Sequence, residues 1–158
     1  MIVIKTPKTK EDFTAYYNLR YKVLREPWGQ ARGTEKDDYE PISEHLMAVD
    51  DQTGKVYGVV KLFEKEPGVA QFSHMAVLKD KQGTGIGKML IDAIEALARQ
   101  KGYTTIGAMS RLTTTHYFDR FGYIIKGIPS AYFASFQMAW MEKSLVPEDD
   151  ASLPSAGN

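Results

Sequence analysis

The chain has no cysteine among its 158 residues. That excludes disulfides, thiol nucleophiles and thiolate metal sites, and no metal is expected. The lack of disulfide staples fits a reducing compartment, so a cytoplasmic location is the expectation. An excess charge of one sign is also missing. Lys plus Arg and Asp plus Glu both total 20, giving a formal net charge of zero. Nothing global therefore argues for nucleic acid or an anionic membrane as a partner. No apolar run approaches the ~20 residues of a membrane-spanning helix. The opening Met1-Ile-Val-Ile is too short for a leader peptide and reads as a strand. Internal repeats are absent as well. What remains is 43% hydrophobic and 25% charged, an ordinary globular composition at a length that suits one domain.

Hydrophobic periodicity and turn residues give the element order. Residues 2–5 form a β-rich run ended by Thr6-Pro7. Thr9 or Asp12 can cap a helix over 10–25. Residues 26–41 hold Pro27, Gly29, Gly33 and Pro41 among many charges, which predicts a long loop with one short helical turn. Strands follow at 45–49, 55–64 and 69–78. They are joined by the turns Asp50-Asp-Gln-Thr-Gly54 and Pro67-Gly68 into an antiparallel meander. Ile86, Leu90, Ile94, Leu97 and Ala98 share one helical face, with Ile91 beside them. Glu95 and Arg99 are read as a pair on the outer side, and Gly102 ends the helix. A strand over 103–109 then lies parallel to the one before the glycines. A short helix over 116–121 follows, with strands at 123–128 and 136–145. Residues 147–158 offer little to bury and are expected to be disordered.

The stretch that organises the rest is Phe72-Ser-His-Met-Ala-Val-Leu-Lys-Asp-Lys-Gln-Gly-Thr-Gly-Ile-Gly-Lys88. A strand runs into three closely spaced glycines, Gly83, Gly85 and Gly87, and a helix starts at once. Glycine admits positive φ and close backbone approach. The first helical amides lack intrahelical partners, and the helix dipole adds positive charge there. Phosphate or pyrophosphate is the natural guest. A Walker A loop fails because Gln82 stands where its first glycine belongs and Met89 where its hydroxyl belongs. A Rossmann fingerprint fails because the third glycine comes one residue early, mid-chain, with no acid ending the next strand.

Gln82-Gly-Thr-Gly-Ile-Gly87 resembles the [Q/R]-x-x-G-x-[G/A] signature of the GNAT acyl-coenzyme A-dependent N-acetyltransferases. Tyr117-Phe-Asp-Arg-Phe-Gly-Tyr123 resembles that family's second, aromatic signature, and the element order looks like the family order over most of the chain. The resemblance implies an α/β (α+β) fold: one GNAT-like domain over 1–146, with a mixed, mostly antiparallel sheet of 6–7 strands. About four helices would flank it, and it would splay at the strand before the glycine turn. It also implies acetyl-coenzyme A as cosubstrate. The amides of Gly83, Thr84, Gly85, Ile86, Gly87 and Lys88 would hold the pyrophosphate, with Gln82 closing the turn and Lys88 adding charge. Met75, Ala76 and Val77 would lend backbone to the pantetheine arm, and Phe118 would lie beside the coenzyme.

The family often carries a Tyr four residues before the second signature's glycine, to protonate the departing thiolate. Here that position is Phe118. Tyr117 lies about 100° around the helix. Tyr117 after a small rotation, Ser110 at the end of the preceding strand, or water are the candidate donors; alternatively the thiolate leaves without one. The family's usual base positions hold Gln71 and Ser73, neither a base at neutral pH. His74 is the titratable side chain in 72–77, and a local bulge there would aim it at the substrate. Otherwise it is a packed or surface histidine. His116 reads as a surface or coenzyme-flanking residue, and His45 has no assigned role. Trp28, Tyr39 and the carboxylates Glu35, Asp37, Asp38 and Glu40 suit a cationic amine or form a solvated face. The resemblance would put residues 128–136, with Tyr132 and Phe133, in the opposite wall, in a segment that is often a dimer contact; the two aromatics equally suit a core.

The expected activity is therefore acetyl transfer from acetyl-coenzyme A to a primary amine of a small molecule or peptide, by direct attack. A catalytically weak acyl-coenzyme A-binding or regulatory protein on the same fold is the alternative. A nucleotide-binding enzyme is the outlying one.

Overall fold

The computed structural model describes residues 1–133 and 136–146. Among the described residues there are seven strands and three α-helices: β1 Ile2–Lys5, α1 Lys10–Leu24, β2 Glu44–Asp50, β3 Val56–Glu66, β4 Val69–Val77, α2 Ile86–Gln100, β5 Thr105–Arg111, α3 Thr115–Asp119, β6 Ile124–Phe133 and β7 Phe136–Ser144. Single 3-10 turns stand at Glu26–Trp28, Glu40–Ile42, Lys79–Lys81 and Leu112–Thr114. The sheet order is β1-β2-β3-β4-β5-β7-β6. β1–β2, β2–β3, β5–β7 and β7–β6 are antiparallel and β4–β5 is parallel. The α/β class, the mixed sheet and the parallel strand after the crossover helix agree with the sequence. Among the described residues three α-helices stand where about four were expected, and the loop before β2, expected to hold one short helical turn, holds two 3-10 turns at Pro27 and Pro41.

The chain divides into two compact units, Met1–Phe63 with Phe72–Leu97, and Glu64–Gln71 with Ala98–Asn158. In the first, Thr9 caps α1: its hydroxyl accepts from the Asp12 amide at 3.0 Å while the Asp12 carboxylate accepts from the Thr9 amide. This reciprocal box satisfies two otherwise orphaned donors. Tyr16 and Leu19 of α1 pack on Met47, Val49, Val59 and Ala76. Asp50 makes the β2–β3 turn by accepting the amides of Gln52 and Thr53 at 2.8 and 3.1 Å.

α2 buries Ile86, Leu90, Ile91 and Ile94, each contributing roughly 1.5–3 kcal/mol. A Cβ on Gly58 would stand 2.9 Å from Leu90 Cδ1 and 3.1 Å from Ile86 Cγ2. Gly58 is therefore what lets the first turns of α2 lie close against β3. Glu95 corrects the sequence reading: it is buried at 4% exposure. It follows Ile94 directly and Ile91 by one turn, so the buried face wraps around to it.

In the second unit, Val69, Ala70 and Gln71 of β4 pair with Thr105, Ile106 and Gly107 of β5. Thr105–Arg111 then pairs along its length with Met138–Ser144. Gly102, at φ 89°, ends the helix as the sequence predicts, and the Tyr103 amide closes back on the Ala98 carbonyl at 3.1 Å. The wall expected at 128–136, with Tyr132 and Phe133, falls outside the described side chains. The tail 147–158 falls outside the described residues.

Candidate active site

The glycine turn is built locally. After the 3-10 turn Lys79–Lys81, the Gln82 side-chain amide reaches back to donate to the Val77 carbonyl at 3.1 Å. It ties the end of β4 to the start of the loop. The Thr84 hydroxyl donates to the Lys81 carbonyl. Gly83 and Gly85 have φ of 81° and 93°, and a Cβ at either would meet nothing within 4 Å. The backbone at both positions is thus open. The Gly85 carbonyl accepts the Met89 amide at 3.1 Å, so Gly85 stands at the helix cap and the amides of Ile86, Gly87 and Lys88 form the first turn of α2. The Ile86 side chain is buried beneath them, as is Ala76 of β4. Lys88 Nζ lies 2.7 Å from Asp92, an exposed i, i+4 pair, so part of its charge is already spoken for. Met75 and Val77 are half-buried on β4.

The second part is assembled from distant elements. Arg20 of α1 and Lys61 of β3 are both 0% exposed. Arg20 donates to the Glu40 carboxylate at 2.9 Å, to the Glu35 carbonyl at 3.0 Å and to the Tyr16 hydroxyl at 2.9 Å. Its guanidinium also lies over the rings of Tyr16 and Tyr17, at 5.0 and 4.9 Å from their centroids. Arg20 Nε finds no hydrogen-bond partner among the described residues. Lys61 donates to Glu40 at 2.9 Å and to Asp37 Oδ1. Two buried cations thus face two carboxylates, which is what makes their burial tolerable. Burial works to raise the pKa of Glu40. The Arg20 charge, the Lys61 hydrogen bond and the Asp37 amide overcome it and hold Glu40 at about 2. Tyr17, donating to Glu40 Oε1 at 3.0 Å, is pushed up to about 12, chiefly by burial and then by that carboxylate's charge.

His74 sits at the edge of this network. Its φ is 52°, and it is the one non-glycine residue with positive φ among those described. The left-handed conformation costs a residue with a Cβ roughly 1–3 kcal/mol. It is a local backbone irregularity within β4, where a bulge was expected, and His74 stays on the buried side with Phe72 and Ala76. The ring is mostly buried; Nδ1 lies 3.1 Å from Ser73 Oγ and 3.9 Å from Asp37 Oδ2. Burial is the main cause that lowers its pKa to about 4. Arg20 and Lys61 push the same way, and Asp37 and Glu40 push back. The imidazole is neutral at physiological pH. His45, without a role in the sequence reading, is structural: Nδ1 meets the Tyr16 hydroxyl at 2.8 Å and Nε2 the Glu40 carbonyl at 3.0 Å.

These contacts correct the solvated face expected for the carboxylates of 35–40. Glu35 is buried and accepts the Gly33 amide at 2.7 Å, and Glu40 and Asp37 are engaged by Arg20 and Lys61. Asp38 alone of the four carries no such tie among the described contacts. The sequence reading missed Arg20 and Lys61. The available signal was a charge where an apolar residue belongs. Lys61 interrupts Val59-Val-Lys-Leu-Phe63, and Arg20 follows Tyr16 by one helical turn.

The remaining candidates belong to the second unit. Ser110 is buried; its hydroxyl donates to the Arg111 carbonyl at 3.1 Å and meets Thr114 Oγ1 at 2.9 Å. It braces the corner between β5 and α3. Tyr117 packs edge-on against Phe118 and Phe121, at centroid distances of 5.0 and 5.3 Å, with the Arg120 guanidinium 4.9 Å from its ring. Phe118 contacts Tyr123 at 6.2 Å. His116 is exposed, 3.6 Å from Asp119. The structure thus gathers His74, Met75, Ala76, Val77 and the turn 82–88 in one unit, and Ser110, Tyr117 and Phe118 in the other.

Comparison with known proteins places the chain in a family. The sequence pattern described as the acetyltransferase (GNAT) family matches residues 13–123. An uncharacterised N-acetyltransferase of Chlorobaculum tepidum is 28% identical over 72% of this chain and 70% of its own length. A crystal structure of a candidate N-acetyltransferase from Lactobacillus plantarum superposes with a TM-score of 0.82 at 23% identity, over 92% of this chain and 99% of the other. An aminoglycoside 6'-N-acetyltransferase solved in complex with coenzyme A superposes with a TM-score of 0.75 at 15% identity, over 94% of this chain and 98% of the other. The glycine turn at the head of α2, the mixed seven-stranded sheet and a family match over most of the sequence agree: this chain belongs to the acetyltransferase (GNAT) family.

Proposed function

We propose that the protein transfers an acetyl group from acetyl-coenzyme A to a primary amine on a small molecule or peptide. The observation that carries this reading is the open backbone cradle at Gly83 and Gly85 at the head of α2. It fits a pyrophosphate: the first-turn amides of Ile86, Gly87 and Lys88 supply donors, and no Cβ fills the space. Gln82 and Thr84 hold the turn in shape, and the backbone of Met75, Ala76 and Val77 offers an extended edge for a pantetheine arm. Bound acetyl-coenzyme A supplies the acyl carbon, whose C–S bond breaks as the acceptor's C–N bond forms.

The amine nitrogen becomes a strong acid as its new bond forms, and a neutral imidazole can take its proton. His74 is the base in this reading. It stays neutral near pH 7 because burial and the neighbouring cations hold its pKa at about 4. The donor to the departing thiolate is Tyr117, with Ser110 bracing the corner ahead of it. Phe118 contributes an apolar contact beside the coenzyme.

Titration calorimetry with acetyl-coenzyme A tests the cradle, and saturable binding is expected. Thiol release across a panel of primary amines tests transfer. Binding with no amine-dependent release identifies an acyl-coenzyme A-binding protein instead. Absence of any binding overturns the reading.

A further inference from the structure

We propose that Asp37 is a positioning residue for His74, holding the proton of the resting imidazole on Nδ1 so that Nε2 keeps the lone pair that takes the acceptor's proton. The inference rests on His74 acting as the base.

The geometry carries it. Nδ1 of His74 lies 3.1 Å from Ser73 Oγ and 3.9 Å from Asp37 Oδ2. A hydroxyl can donate or accept, so Ser73 by itself does not choose the tautomer. A carboxylate beside Nδ1 does, because it favours an N–H there and repels a lone pair. It also favours the imidazolium that forms once the proton is taken. Asp37 is held for this task. Its Oδ1 is engaged by the buried Lys61 ammonium and by the Tyr39 amide at 2.9 Å, leaving Oδ2 toward the imidazole. Lys61 is shared with Glu40, which is fixed in turn by Arg20 and by the Asp37 amide at 3.1 Å. The charged groups that act on His74 are therefore Arg20 from α1, Asp37 and Glu40 from the loop, and Lys61 from β3. Of these, Asp37 approaches the ring itself, and its 34% exposure places it at the surface of the network. Its effect on His74 opposes the two cations, so removing its charge makes the imidazole a still poorer proton acceptor.

Two measurements on the full chain test the inference. Long-range nitrogen–proton NMR of the three histidines, assigned by substitution, reads the tautomer without cosubstrate or turnover. The Nδ1–H form is expected for His74 in the unsubstituted protein, with a shift toward Nε2–H in Asp37→Asn. In the thiol-release assay, Asp37→Asn is expected to lose roughly 10- to 100-fold in kcat with KM for acetyl-coenzyme A unchanged. Asp37→Glu should recover part of the loss. A resting Nε2–H tautomer overturns the inference whether or not Asp37→Asn folds. So does an Asp37→Asn protein that keeps its full rate while the unsubstituted protein turns over. No thiol release by the unsubstituted protein with any amine overturns the transfer reading itself, and the role of Asp37 in it.

Discussion

Between Gln82 and Lys88 the turn is shaped by glycine backbone left open to solvent; around His74 the groups are the charged side chains of Arg20, Asp37, Glu40 and Lys61. The turn is seven consecutive residues closed by short-range bonds. The ionic network draws on α1, the loop before β2, β3 and β4. A backbone cradle is held by φ angles that glycine adopts without strain, so its strength does not depend on pH or on partners far along the chain. A buried ion network depends on every member, because removing one leaves another charged and unpaired. The same unit therefore holds one site component that tolerates change elsewhere and one that does not.

Filling the cradle should have the largest effect. Gly85→Asp places both a Cβ and a carboxylate where the pyrophosphate is proposed to bind, and acetyl-coenzyme A affinity should fall by about 100-fold or more by calorimetry. Gly85→Ala carries the backbone strain without the charge and should lose much less, while its unfolding free energy drops by about 1 kcal/mol. Equal losses from the two would mean that no anion binds there.

Breaking the network should act on stability instead. Lys61→Met leaves Asp37 without its cation and Glu40 with Arg20 alone, and should lower unfolding free energy by roughly 3 kcal/mol in urea titration. Coenzyme binding by the folded fraction should be nearly unaffected. If affinity collapses with Lys61, the two components are not separable.

Acid should discriminate them too. His74 and His45 are both held below the ordinary histidine value, mainly by burial. The unfolded chain thus takes up their protons first, and stability is lost as pH falls from 6.5 to about 4 in the case of His74. Glu40, held at about 2, contributes stability above its usual 4.5 that is lost as pH falls through about 2. His74→Asn, neutral and suited to a left-handed backbone, should flatten the upper window while His45 keeps part of it. Urea midpoints across that range check this; an unchanged slope would mean that His74 is not the titrating group.

Tyr117→Phe should have the smallest effect, a fall in kcat of less than about tenfold, since a thiolate is already a fair leaving group. A larger fall would make α3 an equal partner in the chemistry.

Much of the fold was legible because its signals are short in range. Thr9 or Asp12 was expected to cap α1, and Thr9 does so with Asp12 closing the box; Gly102 marks the end of α2. The apolar spacing from Ile86 to Ala98 predicts the face that is buried. Glu95 was misread because an apolar stripe does not state how far around the helix burial extends. The carboxylates of 35–40 read as solvated because their partners, Arg20 and Lys61, lie many residues away along the chain.

By itself the sequence determined the glycine turn, the helix that follows it and hence the coenzyme expected there. Those depend on φ preferences and amides within a few residues of one another. Only the tertiary structure decided that Arg20 and Lys61 are buried, that Asp37 and Glu40 neutralise them, and that His74 turns left-handed to meet Asp37. Burial of charge is settled by which groups converge in space, and no local spacing records that.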